Sequence, residues 1–230
     1  MSNTNKLIFD IETVGVDFNS LDKISQEYVR EYAETEEDLI EATGRLSFSP
    51  LTGTIAAIGL INPDTRRGNI LLATSKQLPE ELQPGIQLES GTEAEIIEKF
   101  WSAASHYNTF VTFNGRVFDA PFILVRSAIH GVKPTKNLMS NRYLASQLDN
   151  CNHVDLLDQL TYYGAVRKKY NLHFWCKAFG IPSPKESGLS GKDVERLVRE
   201  GRWLEMAQYN LGDLLSTMQL YEKWNRYLNL

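Results

Sequence analysis

Residues Leu7-Ile8-Phe9-Asp10-Ile11-Glu12-Thr13 decide how the chain is read. The apolar run over 7–11, closed by Thr13 and Gly15, predicts a first β-strand. Side chains two apart on a strand share a face, so Asp10 and Glu12 stand side by side. Neighbouring carboxylates repel unless a positive charge lies between them, and neither Asp nor Glu favours a strand. Oxygen donors of this kind suit hard cations such as Mg²⁺ or Mn²⁺. The alternative is a turn that begins at Asp10, with both carboxylates in water. The pair alone does not decide between the two.

Working outward, residues 14–50 read as an insertion before the next strand. Their acidic, helix-prone stretch over 28–43 holds Glu31, Glu34, Glu36, Glu37, Asp38 and Glu41. It reads as a solvated helix face, the alternative being a cover over a substrate groove. Ser49-Pro50-Leu51-Thr52-Gly53 marks a turn. Residues 54–61 predict a strand buried on both faces, with an antiparallel return over 69–74. A loop with Pro79 and Pro84 follows. Thr92-Glu93-Ala94-Glu95 matches a capping box, and Ile96, Ile97, Phe100, Trp101 and Ala104 then recur at helical spacing. A strand over 109–113 precedes a helix from Asp119 to Gly131. A short fifth strand near 153–156 leads into helices at about 156–163, 170–179, 191–200 and 203–227. This order predicts an α/β fold with a mixed five-stranded sheet flanked by helices, in one domain over residues 1–230.

Composition narrows the partners. The chain has 230 residues, 42% of them hydrophobic, and a net charge of −5. That acidic balance argues against a protein that coats duplex nucleic acid, but not against a small acidic site whose bound metal supplies positive charge locally. The two cysteines, Cys151 and Cys176, and the four histidines show no zinc spacing. The first residues lack the apolar core of a signal peptide, and no apolar run approaches the roughly 18 residues of a membrane span. A cytoplasmic protein is expected.

Two further segments hold chemistry. Asp119 closes Asn114-Gly115-Arg116-Val117-Phe118-Asp119, between a strand and a helix. An Asp there reads first as a helix N-cap, yet strand–helix junctions are also where α/β sites gather. Tyr209 and Asp213, four apart in the last helix, share a face. They project away from the stripe of Ala207, Leu211, Leu214, Met218 and Tyr221, so the plain reading is an exposed pair.

Taken in order, Asp-x-Glu, Asn-(x)3-Phe-Asp and Tyr-(x)3-Asp resemble the DEDD exonuclease superfamily with its ribonuclease H-like fold. Tyr209 and Gln208 (where the histidine branch has His) make it look like the tyrosine branch. The chain is more closely similar to stand-alone predicted exonucleases related to the proofreading domain of family-B DNA polymerases. The segments 49–55, 179–182, 190–194 and 201–221 support this, and the likeness spans about residues 6–221. Segments 14–47 and 75–90 align least. The resemblance implies a 3′–5′ exonuclease that releases nucleoside 5′-monophosphates from single-stranded 3′ ends, with DNA favoured over RNA. It implies two ions per site, Mg²⁺ or Mn²⁺, about 3.5–4 Å apart. Asp10, Glu12, Asp119 and Asp213 would hold them, and Tyr209 would orient the attacking water. Thr13 and Asn114 would position the terminal nucleotide, and Phe118 would stack on its base.

Cations interleave with aromatics in Arg167-Lys168-Lys169-Tyr170 and on through His173, Phe174, Trp175 and Lys177. They suit a single-strand track, or equally a basic helix start above a buried Phe–Trp pair. Lys185 and Lys192 flank the loop 187–191, a candidate phosphate contact. Two rival functions stay open at this point. One is a non-catalytic nucleic-acid-binding or scaffold domain of the same fold. The other is a different metal-dependent phosphodiesterase.

Overall fold

Alternation along the first strand sends its residues to opposite faces of a sheet, and helices cover both faces. The computed structural model describes residues 5–31, 33–148, 150–183 and 188–229, with every side chain but that of Lys192. In it β1 (Lys6–Gly15) turns Leu7, Phe9 and Ile11 into one apolar layer and Ile8 into the other. By the same period of two, Asp10 and Glu12 point to the Ile8 side.

The sheet runs in the order β4-β5-β3-β2-β1-β6-β7. Its other strands are β2 (Gly53–Ile61), β3 (Gly68–Ala73), β4 (Glu81–Gln83), β5 (Ile86–Gly91), β6 (Thr109–Thr112) and β7 (Asn152–Asp155). β1 pairs antiparallel with β2 and parallel with β6, which is itself parallel to β7. The C-terminal ends of β1, β6 and β7 therefore share one edge. The mixed α/β sheet is the one expected, but it has seven strands where five were expected. The two additions, β4 and β5, lie in what reads as the loop with Pro79 and Pro84. Pro84 and Gly85 (φ 86°) make the turn between them. A short alternation, buried Ile86 and Leu88 around exposed Gln87, was the signal for β5.

On the Leu7 face lie α3 (Glu93–Ala104) and α4 (Asp119–Ile129). They bury Ile96, Ile97, Phe100, Trp101, Phe122 and Ile123 against Phe9 and its neighbours. Phe9 meets Phe100 with ring centroids 5.3 Å apart. The Trp101 indole N–H donates to Ser127 Oγ at 2.8 Å, which satisfies the one polar atom of that ring and ties the two helices together. The other face is covered by α5 (Leu156–Leu160), α6 (Leu172–Phe179), α7 (Gly191–Arg199) and α8 (Trp203–Tyr227). Val194, Leu197, Met206, Leu214 and Leu220 pack there with Ile8, Ala57, Ile70 and Leu72.

The acidic stretch is two helices rather than one: α1 (Lys23–Arg30) and α2 (Glu36–Gly44). Asp22 caps the first. Thr35 and Asp38 form a capping box that starts the second afresh. Neither helix buries a residue, in keeping with the solvated reading. Among the described residues no helix is long and apolar enough to cross a membrane.

The capping box expected at Thr92 and Glu95 is present, with both reciprocal bonds formed. Thr92→Ala is therefore expected to lower unfolding stability by about 1 kcal/mol. Urea titration should show an earlier midpoint with an unchanged slope.

Candidate active site and metal centre

The site is built on the three parallel strand ends and on α8. Asp10 and Glu12 reach it from β1, and just after Glu12 the register against β2 shifts: Glu12 pairs with Ala57 but Thr13 with Ile55. Such an irregularity re-aims the side chains beside it. α8 lies against β1, β2 and β3 and also against α5, α6 and α7. Being enclosed on so many sides, it buries far more than its apolar stripe. Tyr209 is only 8% exposed, which corrects the expectation of an exposed tyrosine on a surface helix.

Oxygens of Asp10, Glu12 and Asp213 all come within 4.8 Å of one another. Glu12 is buried, whereas Asp10 and Asp213 keep partial exposure, so the cluster has a wet mouth. Burial first, then the charges of Asp119, Glu12 and Asp213, hold the Asp10 carboxyl well above the usual carboxylate range. Glu12 is raised the same way, by burial and then Asp213, with a hydrogen bond from Asn210 opposing. Tyr209 hydrogen-bonds Asp213. Burial, and after it Asp213, Glu12 and Asp10, hold the phenol above its ordinary value. Three crowded carboxyl groups, open on one side, could hold a hard divalent cation.

Asp119 stands outside that set of three. It is the first residue of α4 and not its N-cap; Phe118 is the cap and makes no side-chain cap bond. Its Oδ1 instead accepts the Ile11 N–H at 3.0 Å, the peptide between Asp10 and Glu12. That long-range bond replaces the local cap and fixes the start of α4 against the stretch of β1 that carries Asp10 and Glu12. Burial chiefly raises the Asp119 carboxyl to about 7, against the bond from Ile11.

Thr13 Oγ1 donates to the Ser47 carbonyl at 2.7 Å and so fastens the end of the insertion beside the site. Asn114 takes a left-handed φ of 64° in the turn after β6, a conformation asparagine tolerates. Phe118 packs at 5.5 Å from Phe122 and 6.3 Å from exposed Phe48. In the cationic stretch Lys168 lies over Tyr170, which stacks on exposed Phe174, while Trp175 packs against the core. Lys185 and Ser187 lie outside the described residues, as does the Lys192 side chain.

Two residues escaped the sequence reading. Asp155, at the end of β7, accepts N–H groups of Asn114 (2.9 Å), Arg116 (3.0 Å) and Leu157 (2.9 Å). It clamps the loop that leads to Asp119, and its signal was an Asp where a strand becomes a helix. Asn210 Nδ2 donates to Asp10 Oδ2 at 2.9 Å and lies 3.4 Å from Glu12 Oε1. Its signal was an amide set among apolar positions Ala207 and Leu214.

A carboxylate cluster beside the C-terminal ends of the parallel strands lies where ligands of α/β sheets bind, and the class to which it points is that of the α/β nucleases. Residues 75–229 match the model of the family described as predicted 3′–5′ exonucleases related to the exonuclease domain of PolB, and the chain belongs to that family. The matched part contains Asp119, Tyr209 and Asp213; Asp10 and Glu12 precede it. The fold is similar to that of the family B DNA polymerase from the hyperthermophilic archaeon Pyrobaculum calidifontis, with a TM-score of 0.55 and 19% identity. The match covers 96% of this chain and 24% of the polymerase. The α/β exonuclease-type fold implied by the sequence motifs is thus the fold found. No curated protein matches in sequence.

The Asp119 carboxyl holds its proton to about pH 7 in the metal-free fold and to its ordinary 3.8 when unfolded. Folding therefore takes up a proton between those values, and the group's contribution to stability falls as pH rises through that window. In EDTA, Asp119→Asn is expected to gain in melting temperature relative to wild type between pH 4 and pH 7. A difference that does not change with pH contradicts this assignment.

Proposed function

We propose that this chain is one exonuclease domain, spanning residues 1–230, that hydrolyses the terminal phosphodiester at the 3′ end of single-stranded nucleic acid. DNA is favoured over RNA, in line with the family's relation to a DNA polymerase domain. The observation that carries this reading is the convergence of Asp10, Glu12 and Asp213 oxygens within 4.8 Å, with Tyr209 bonded to Asp213 at the same point.

In this reading Asp10, Glu12 and Asp213 hold one divalent cation, and Asp10 with Asp119 holds a second. Bound cations supply Lewis acidity, acidifying the attacking water and neutralising charge on the leaving 3′ oxygen. The water oxygen forms a bond to the terminal phosphorus as the bond from phosphorus to the 3′ oxygen breaks. The proton lost by the water goes to solvent, the leaving 3′ oxygen takes one from solvent, and a nucleoside 5′-monophosphate departs. Tyr209, which hydrogen-bonds Asp213, serves as the group that orients the attacking water. Asn114 and Thr13 line the approach of the terminal nucleotide. Phe118 offers its ring to the terminal base, where stacking contributes about 1–3 kcal/mol with little regard to sequence.

Labelled single-stranded DNA incubated with the protein and Mn²⁺ should yield mononucleotides from the 3′ end. Asp10→Ala should reduce that rate at least about a hundredfold. Equal rates for wild type and variant, or cleavage of circular or 3′-blocked strands, overturn the assignment. Tyr209→Phe should lower kcat by roughly a hundredfold or more while Mn²⁺ affinity measured by calorimetry stays at the wild-type value.

A further inference from the structure

Asn210 is fully buried in the middle of α8, among side chains that face the sheet. Its Nδ2 lies 2.9 Å from Asp10 Oδ2 and 3.4 Å from Glu12 Oε1, so one amide group donates to two carboxylates. Its Oδ1 is buried without a hydrogen-bond partner among the described residues. An orphaned buried acceptor is unfavourable, and native structures tolerate few of them.

The strand opposite is shaped to admit this amide. A Cβ on Gly59 of β2 would stand 2.0 Å from Asn210 Oδ1 and 2.6 Å from Leu214 Cδ1, so any side chain there displaces the carboxamide. A glycine inside a strand weakens it and marks the close approach of another group. Two unfavourable features, an unpaired oxygen and an interior glycine, thus converge on one side chain. An apolar residue of similar size would remove the first of them. What the asparagine alone provides is an N–H between two carboxylates. The opposite amide orientation would set an acceptor oxygen against the oxygens of two carboxyl groups and turn the N–H away from them, so the carboxyl groups set the orientation.

We propose that Asn210 is a positioning residue for the metal centre, holding Asp10 and Glu12 in the arrangement that receives a divalent cation. This rests on the reading of Asp10, Glu12 and Asp213 as ligands. A carboxylate has two oxygens, so accepting from Asn210 and ligating a cation do not compete. The shared N–H also ties both side chains to one point of α8 before the cation arrives. Groups that orient ligands in this way typically contribute 10–100-fold to metal affinity.

The test is calorimetric titration of Mn²⁺ into wild type, Asn210→Ala and Asn210→Leu; leucine matches asparagine in branching but donates nothing. Each variant is first checked for wild-type far-ultraviolet circular dichroism and a cooperative melt. Mn²⁺ binding in the folded variants is expected to be about 10- to 100-fold weaker. Wild type that binds Mn²⁺ while a folded variant binds equally well overturns the role of Asn210 and leaves the metal centre standing. Wild type that binds no Mn²⁺ overturns both. If neither variant folds, the side-chain amide protons of Asn210 in wild type with Mg²⁺ decide by NMR. Slow exchange is expected, and exchange as free as that of an exposed asparagine overturns the role.

Discussion

Repulsion among buried carboxylates is the constraint around which this molecule is arranged. Asp10, Glu12 and Asp213 crowd within 4.8 Å, and Asp119 adds its charge from the start of α4. Burial comes first in raising both Asp10 and Glu12, followed by the charge of Asp119 for Asp10 and of Asp213 for Glu12. As anions they need a positive partner, and without one they retain protons. A fold selected for stability alone would place apolar side chains here. The proposed cation turns that same repulsion into a binding site.

Much of the surrounding structure holds the crowded groups in place. The shift in register at Glu12 and Thr13 lies where β1 enters the site. The Ile11 N–H reaches Asp119, so the peptide between two of the proposed ligands also anchors a third acidic group. Asp155 pins the loop before α4 through three backbone N–H groups. α8 brings Tyr209, Asn210 and Asp213 to the cluster on a helix gripped by the sheet and three other helices. Chemistry placed on rigid elements keeps its geometry when a substrate strand pulls on it.

The sequence showed the site motifs more clearly than the local roles of their residues. Asp10 and Glu12 were legible through the period of a strand, and Tyr209 with Asp213 through the period of a helix. Asp119 by its neighbours alone reads as a cap, because its true partner, Ile11, is 108 positions away. The exposure of Tyr209 was misread for a related cause: a single helix reveals its apolar stripe but not how many neighbours enclose it. β4 and β5 were hidden by Pro84 and Gly85, whose turn signals outweigh strands of three and six residues. Asn210 showed only as an amide among apolar positions, because its meaning depends on Asp10 and Gly59, on two strands of the sheet far away in the chain.

The insertion between β1 and β2 comes beside the site where Thr13 donates to the Ser47 carbonyl and Phe48 lies against Phe118. The centre of the account is still the carboxylate cluster. Its most direct test is anomalous X-ray scattering from crystals of the wild-type protein soaked in Mn²⁺. A manganese peak bounded by oxygens of Asp10, Glu12 and Asp213 is expected, with a second near Asp10 and Asp119. An empty cluster at saturating Mn²⁺, or a peak held by other residues, would contradict it.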